Sequence, residues 1–287
     1  MLLTIFTPTY NRANKLENVY NSLKNQISSE YEWLIVDDGS IDNTKKIVEK
    51  FINDSLLNVR YIKKDNGGKH TAHNLAVDEA KGKYFMCLDS DDFLKENTIN
   101  SLLEKLKICK KNEGIISYKE NQNQHMLSDY FPNKSTIDCI YDLEMKYNCK
   151  GEFVFIFPTS VLKKNKFPIY KDEKFITEAV LYDKLKCSMI LYPHVIQVCE
   201  YQTNGLSNNL NRIMKKNPSG YCLYFMQRID IQLKLTAKIV MAAKYVAFYF
   251  FSKKKKIKYN GENFSIVIIS IPLGLLFWLY YKIIRDF

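Results

Sequence analysis

The stretch YFMCLDSDDFL, residues 84–94, decides the fold. A largely apolar run from Tyr84 to Leu88 passes without a break into Asp89, Ser90, Asp91 and Asp92. Such a run, closed by polar residues, reads as a strand with an acidic end. Asp89 and Asp91 stand two apart, so in extended backbone their carboxylates project to one side. Two convergent carboxylates can hold a hard divalent cation through oxygen and leave positions open for the oxygens of a diphosphate. The same letters also suit an acidic turn whose carboxylates are simply solvated.

Working outward, strands and helices alternate. Leu2–Phe6 reads as a strand ended by Thr7-Pro8-Thr9, Trp33–Val36 as a second strand ended by Asp37-Asp38-Gly39-Ser40, and Val59–Ile62 as a third. Between them, 14–26, 42–51 and 71–80 carry apolar residues at helical spacing, as does 97–107 before a strand at Ile115–Tyr118. This alternation predicts an α/β protein with a mainly parallel, Rossmann-like sheet. Ligands of such sheets bind at the carboxyl ends of the strands, where Asp37-Asp38 and Asp89–Asp92 both fall. The pattern weakens over 121–150. Strands are then expected at Phe153–Phe157 and Ile190–Val198, with a helix over 173–186 between them. A long helical stretch, 220–251, grows steadily more apolar, followed by a basic run at 253–258 and 18 uncharged residues at 264–281.

Charge separates the chain into two kinds of material. The net charge is +11, yet residues 1–100 carry 13 basic and 15 acidic side chains and residues 101–200 carry 15 and 13. Residues 201–287 carry 14 and 3, so the excess lies there alone. Basic residues beside apolar runs, rather than in a nucleic-acid module, argue against a nucleic-acid partner. The seven cysteines form no C-x-x-C pair and are odd in number, which gives no zinc or disulfide framework and suits reduced thiols. The opening MLLTIFTPTYNR lacks the positive n-region of a signal peptide, so the catalytic part is expected in the cytoplasm.

Three polar strand ends in one sheet favour a nucleotide pocket over three unrelated turns. Tyr10 could stack on a base and Asp38 could accept from a base N–H, although Asp37–Ser40 also suits a turn and helix cap. The combination TPTYNR, WLIVDDGSIDNT and NGGKHTAHNLAVDEAKGKYFMCLDSDDFL resembles family-2 glycosyltransferases, strongly over residues 1–110 and more loosely to about 225. The stretches NKFPIYKDEKFITEAVLYDKL and EYQTNGLSNNL, and the ending IPLGLLFWLYYKIIRDF, resemble the bacterial surface-polysaccharide branch of that family.

The resemblance implies a GT-A nucleotide-diphospho-sugar transferase fold, an inverting reaction and a divalent metal, Mn2+ or Mg2+. Carried over by position, Pro8 and Tyr10 line the base, Asp38 bonds it, Lys69 faces base or phosphates, and Asp89 and Asp91 contact ribose and metal, with Asp92 close by. The catalytic base falls at Glu178, without the second acid the family often has beside it. The Q-x-x-R-W motif of processive members does not occur, which points to transfer of a single sugar. The expected layout is a catalytic domain over 1–218, with a nucleotide-binding half at 1–110 and an acceptor half at 111–218, followed by a membrane-associating helical tail at 219–287.

The tail reads as a basic amphipathic helix around 233–251 lying on anionic headgroups, with 264–281 either spanning once or lying at the interface. Trp278, Tyr280, Tyr281 and Lys282 suit interface anchors. The expected partners are therefore a nucleotide-sugar donor, a lipid-linked sugar acceptor and an anionic membrane surface at its cytoplasmic face. Two other readings stay open: an inactive homologue that only binds nucleotide sugar, and a nucleotidyltransferase. The second lacks its usual Gly-rich loop after the first strand.

Overall fold

The computed structural model describes residues 1–26, 28–200, 210–252 and 257–283. Packing divides the chain into two compact units, Met1–Lys166 with Leu185–Tyr201, and Phe167–Lys184 with Gln202–Phe287.

The first unit is built on one sheet. Its strands are β1 (Leu3–Thr9), β2 (Tyr31–Asp37), β3 (Val59–Lys63), β4 (Tyr84–Cys87), β5 (Asp92–Leu94), β6 (Glu113–Asn121), β7 (Thr136–Ile137), β8 (Phe153–Pro158) and β9 (Ser188–Cys199). The order is β3-β2-β1-β4-β8-β6-β9-β5, with β7 also paired to β9. Strands β3, β2, β1 and β4 are mutually parallel. Strand β8 is antiparallel to both β4 and β6, and β5 and β7 are antiparallel to β9. The sheet is therefore mixed: the mainly parallel expectation holds for its first four strands, and β6 with β9 makes one further parallel pair. The antiparallel pairings all involve β8 or β9, both of which follow residue 150.

Every residue of β1 and β2 is buried, as befits strands covered on both faces. The buried carboxylate of Glu32 is satisfied: it accepts from the Thr4 hydroxyl at 2.6 Å, the Lys81 amide at 2.7 Å and Arg60 at 3.0 Å. Helix α1 (Leu16–Lys24) turns Leu16, Val19, Tyr20 and Leu23 into the core, while α2 (Thr44–Asn53) contributes Val48 and Phe51. The Tyr20 and Phe51 rings stack at 4.2 Å. Helices α3 (Lys69–Glu79) and α4 (Thr98–Lys107) follow the motifs that open and close the acidic edge. Short helices α5 (Asp142–Met145) and α6 (Thr159–Lys164) flank β8.

The second unit is helical: α7 (Ala179–Tyr182), α8 (Leu210–Lys216), α9 (Pro218–Ile231), α10 (Leu235–Phe251), α11 (Phe264–Ile269) and α12 (Ile271–Ile283). Three expectations are corrected here. The helix expected over 173–186 shrinks to the single turn of α7. The amides of Lys174 and Phe175 bond the side-chain oxygen of Asn217 instead, and the Glu173 carboxylate accepts the Ser219 and Gly220 amides that open α9. The stretch 220–251 breaks at Gln232–Lys234, where Gln232 and Lys234 adopt extended backbone. The uncharged stretch 264–281 divides at Ser270, ahead of Pro272, which has no N–H to continue a helix. Among the described residues, no helix is long and apolar enough to cross a membrane.

Helices α10 and α12 approach closely at Gly274, where a Cβ would lie 2.6 Å from Val246 Cβ and 2.9 Å from the Ala243 carbonyl oxygen. Around that contact Tyr221, Phe225, Phe248 and Tyr281 form an aromatic core.

Candidate active site

The carboxyl ends of the parallel strands coincide. Thr9 lies opposite Asp37, which lies opposite Lys63, and Cys87 lies opposite Phe6. The loops leaving these ends are laced together. The Asn11 amide donates to the Ser40 hydroxyl at 2.9 Å, and the Asn11 side chain accepts from the Ile41 amide at 2.8 Å. Pro8 is a buried strand residue opposite Val36, whereas Tyr10 beyond it is 48% exposed. An exposed ring at a strand end is free to stack on a ligand; a buried proline shapes the edge beneath it.

Asp37 serves the turn: it accepts from the Ser40 amide at 2.7 Å and from the Tyr61 hydroxyl. Asp38 does something else. Its carboxylate accepts from Lys64 Nζ at 2.6 Å, the Asn66 side chain at 3.1 Å, the Gly67 amide at 2.9 Å and the Gly68 amide at 2.7 Å. It thereby fixes the loop that delivers Lys69 as the first residue of α3. Gly39 makes room for that loop: its φ is +88°, and a Cβ there would sit 2.9 Å from the Asn66 nitrogen.

Lys69 reaches the acidic strand end, with Nζ 2.7 Å from one Asp89 oxygen and 2.8 Å from the other. Arg12 bonds Asp91 at 2.9 Å and the Ser90 hydroxyl at 3.3 Å. Burial opposes ionisation of Asp89, but Lys69, with Lys119 and Arg12, outweighs it and holds the carboxyl below its ordinary pKa. Asp92 turns inward instead and accepts from the Gln197 side chain at 2.6 Å. Burial, and then the charges of Asp89 and Asp91, push it up to about 6. Lys119 is mostly buried beside these acids. Desolvation works against its charge, and Cys199, Asp92, Asp89 and Glu152 more than compensate.

Structure thus brings Asp89, Asp91, Lys69 and Asp38 to one edge, with Tyr10 and Pro8 at the neighbouring strand end. Glu178 belongs to the second unit, partly exposed, at the position that opens α7; its carbonyl accepts the Leu181 and Tyr182 amides. Most of the stretch EYQTNGLSNNL, including Gly205-Leu206-Ser207-Asn208, lies outside the described residues. Arg12, Lys64, Asn66 and Lys119 carry charge or hydrogen bonds at this edge and received no role from the sequence. Arg12 and Asn66 stand within the motifs TPTYNR and NGGKHTAHN, whereas Lys64 and Lys119 lie outside every motif read there.

Asp89 and Asp91 fit a hard divalent cation: both offer carboxylate oxygens, Asp89 is held ionised, and their side chains are 35% and 18% exposed. Among the described residues there is no group of three or more His, Cys, Asp or Glu placed to hold a metal ion.

Comparison with known proteins gives a family and a fold. Residues 4–164 match the family model described as Glycosyl transferase family 2. The chain is 30% identical over 205 residues to the GalNAc(5)-diNAcBac-PP-undecaprenol beta-1,3-glucosyltransferase of Campylobacter jejuni, which covers 67% of this chain and 62% of that one. It spans only 11–14% of three longer relatives. Among solved structures, S. aureus TarS 1–349 in complex with UDP-GlcNAc superposes with a TM-score of 0.65 at 18% identity, covering 96% of this chain and 81% of that one. The Pyrobaculum calidifontis mannosyltransferase PcManGT in complex with GDP-Man and Mn2+ gives 0.53 at 16% identity, covering 98% and 87%. At such identities these two structures speak for the fold.

Proposed function

The chain belongs to glycosyl transferase family 2, and from that premise we propose that it moves one sugar from a nucleoside-diphosphate sugar to a hydroxyl of a lipid-linked glycan, with inversion, in the synthesis of a bacterial surface polysaccharide. The observation that carries this reading is the paired geometry at the end of β4: Asp89 on Lys69 and Asp91 on Arg12, at 2.7 and 2.9 Å. Cations beside carboxylates at one strand end suit a leaving group that is itself a diphosphate. The UDP-GlcNAc and GDP-Man complexes of the two fold neighbours support a nucleotide-sugar donor.

The reaction breaks the bond between the anomeric carbon and the diphosphate oxygen, and the electron pair leaves with the nucleoside diphosphate. Lys69 and Arg12 are placed to offset the charge that develops there. Asp89 and Asp91 would hold a divalent cation, which when bound supplies further positive charge to the diphosphate. The acceptor hydroxyl attacks from the face opposite the leaving group, so the configuration inverts, and Glu178 accepts its proton. The exposed Tyr10 ring stacks on the base. For Asp38 to bond the base as well, the base N–H must displace one of the four donors it now accepts.

The same reading puts the protein at the cytoplasmic face of an anionic membrane. What supports it is the composition of residues 201–287, with 14 basic and 3 acidic side chains, and the exposed apolar stripe of α12 formed by Leu275, Leu276, Leu279 and Ile283.

The test is nucleotide release from a panel of nucleotide sugars, with a lipid-linked acceptor and Mn2+ or Mg2+ present. Asp91→Ala should lower kcat/KM by about 10²-fold or more, and chelation of the cation should do the same to the unaltered chain. If Asp91→Ala transfers sugar at the unaltered rate, the assignment of this edge is wrong.

A further inference from the structure

Helix α1 carries a second pattern on the side away from its core contacts. Asn18, Asn21, Ser22 and Asn25 follow one another at i, i+3, i+4 and i+7, which makes them a single stripe. That stripe forms one wall of a cavity of about 570 Å³. Phe93 to Glu96, Glu120 to Gln122 and Gln124, following the acidic strand end and closing β6, form the remainder, with Val198. The volume lies within the range of small-ligand sites, about 300–1,000 Å³.

The lining says what could occupy it. The side-chain amides of Asn18, Asn21, Asn25, Gln122 and Gln124 make no hydrogen bond to other described residues. Asn is a poor residue for a helix interior, because its amide competes for backbone groups, and here two of them, Asn18 and Asn21, stand in a nine-residue helix with a third, Asn25, capping its end on the same stripe. Each amide offers two donors and an acceptor. Phe93 adds a partly exposed aromatic side chain. The charged members are Lys95, Glu96 and Glu120, and Lys95 is spent on Glu120 at 2.8 Å. With its lysine already paired to a carboxylate, the cavity has nothing to attract a phosphate, a nucleotide or an acidic peptide. Amides able to donate and accept on neighbouring hydroxyls, beside an aromatic side chain that can cover the C–H face of a ring, are what an uncharged sugar needs.

We propose that this cavity is a binding site for uncharged glycan, separate from the nucleotide edge, which holds a stretch of the saccharide that the enzyme extends. The proposal deepens the transferase reading and rests on it for the identity of that saccharide. Binding is nevertheless measurable without turnover. Short neutral oligosaccharides of glucose, galactose, N-acetylglucosamine and N-acetylgalactosamine are offered to the full-length chain, and saturation-transfer NMR reads which of them bind. At least one should receive saturation. The double variant Asn21→Ala, Asn25→Ala should weaken its binding about tenfold or more, through loss of amide hydrogen bonds. Because both residues are exposed and Ala favours the helix, the variant should melt no lower than the unaltered chain. Its binding of free UDP or GDP, read by thermal shift, should match that of the unaltered chain. Absence of saturation transfer to every sugar, or transfer undiminished in the variant, overturns the proposal. Failure of sugar transfer in the nucleotide-release assay, with glycan binding intact, would instead count against the transferase reading.

Discussion

Asp38 accepts four hydrogen bonds from one short segment, whereas Asp89 and Asp91 each face a cation at the end of a long side chain. The first carboxylate is committed to architecture and the other two can exchange partners when a substrate arrives. Glu178 is the residue whose proposed role is purely chemical, so the conservative change is the informative one. Glu178→Gln should bind nucleotide sugar with the affinity of the unaltered chain and lose roughly 10²–10⁴-fold in turnover. A single-turnover measurement showing full activity would remove Glu178 from the reaction.

His70, buried at the start of α3 with 2% exposure, gives a pH prediction. Burial lowers its pKa from 6.5 to about 4; Asp38 works against this and Lys64 with it. A depressed histidine pKa means the unfolded chain takes the proton first. The stability it contributes is therefore present above pH 6.5 and is lost as pH falls toward 4, by about 3 kcal/mol in all. Urea unfolding of the unaltered chain and of His70→Gln should show their difference in stability shrinking by that amount across this window. A difference that stays constant would mean the imidazole is not desolvated. The acidic pair was legible in the sequence because its two members are neighbours in the chain. The donors on Asp38 were not, because Lys64 to Gly68 lie 26–30 residues away and only the parallel pairing of β2 with β3 brings them back.

At the scale of elements, the alternating half of the sheet was readable from apolar runs with polar stops, since parallel strands buried on both faces leave that signature. Over the segment 173–186 the local signal was overridden. Helical spacing was present there, yet the amides of Lys174 and Phe175 found a better acceptor in Asn217, from a distant part of the chain. The turn Asp37–Ser40 is the element on which the edge depends, and Gly39 is its weak point. At φ +88°, with a Cβ 2.9 Å from the Asn66 nitrogen and 3.3 Å from the Lys64 carbonyl oxygen, an alanine must both strain its own backbone and push the loop that Asp38 holds. Gly39→Ala should cost about 1–3 kcal/mol in chemical denaturation. Because that loop delivers Lys69 to Asp89, it should also weaken nucleotide-sugar binding in calorimetry. Unchanged affinity together with reduced stability would separate the loop from the site.

At the scale of the whole molecule, the basic excess and the exposed apolar residues belong to the same part of the chain. Helix α12 buries Gly274 and Tyr281 and leaves Leu275, Leu276, Leu279 and Ile283 between 40% and 72% exposed. Covering such half-exposed aliphatic side chains is worth roughly 1 kcal/mol each, and a lysine near an anionic surface about as much. Some of the cations serve local packing: Lys244 and Lys282 lie over the rings of Phe225 and Trp278. Neither contribution alone makes a lasting anchor, so membrane attachment should need both. The full-length protein should co-sediment with vesicles of mixed phosphatidylglycerol and phosphatidylcholine, bind vesicles of phosphatidylcholine alone far less, and lose much of the difference at high salt. Leu276→Glu with Leu279→Glu should release it from both while nucleotide binding persists, because these side chains face outward and the nucleotide edge belongs to the other unit. Equal binding to both vesicle types would remove the basic residues from the attachment, and binding untouched by the two glutamates would remove the apolar stripe from it.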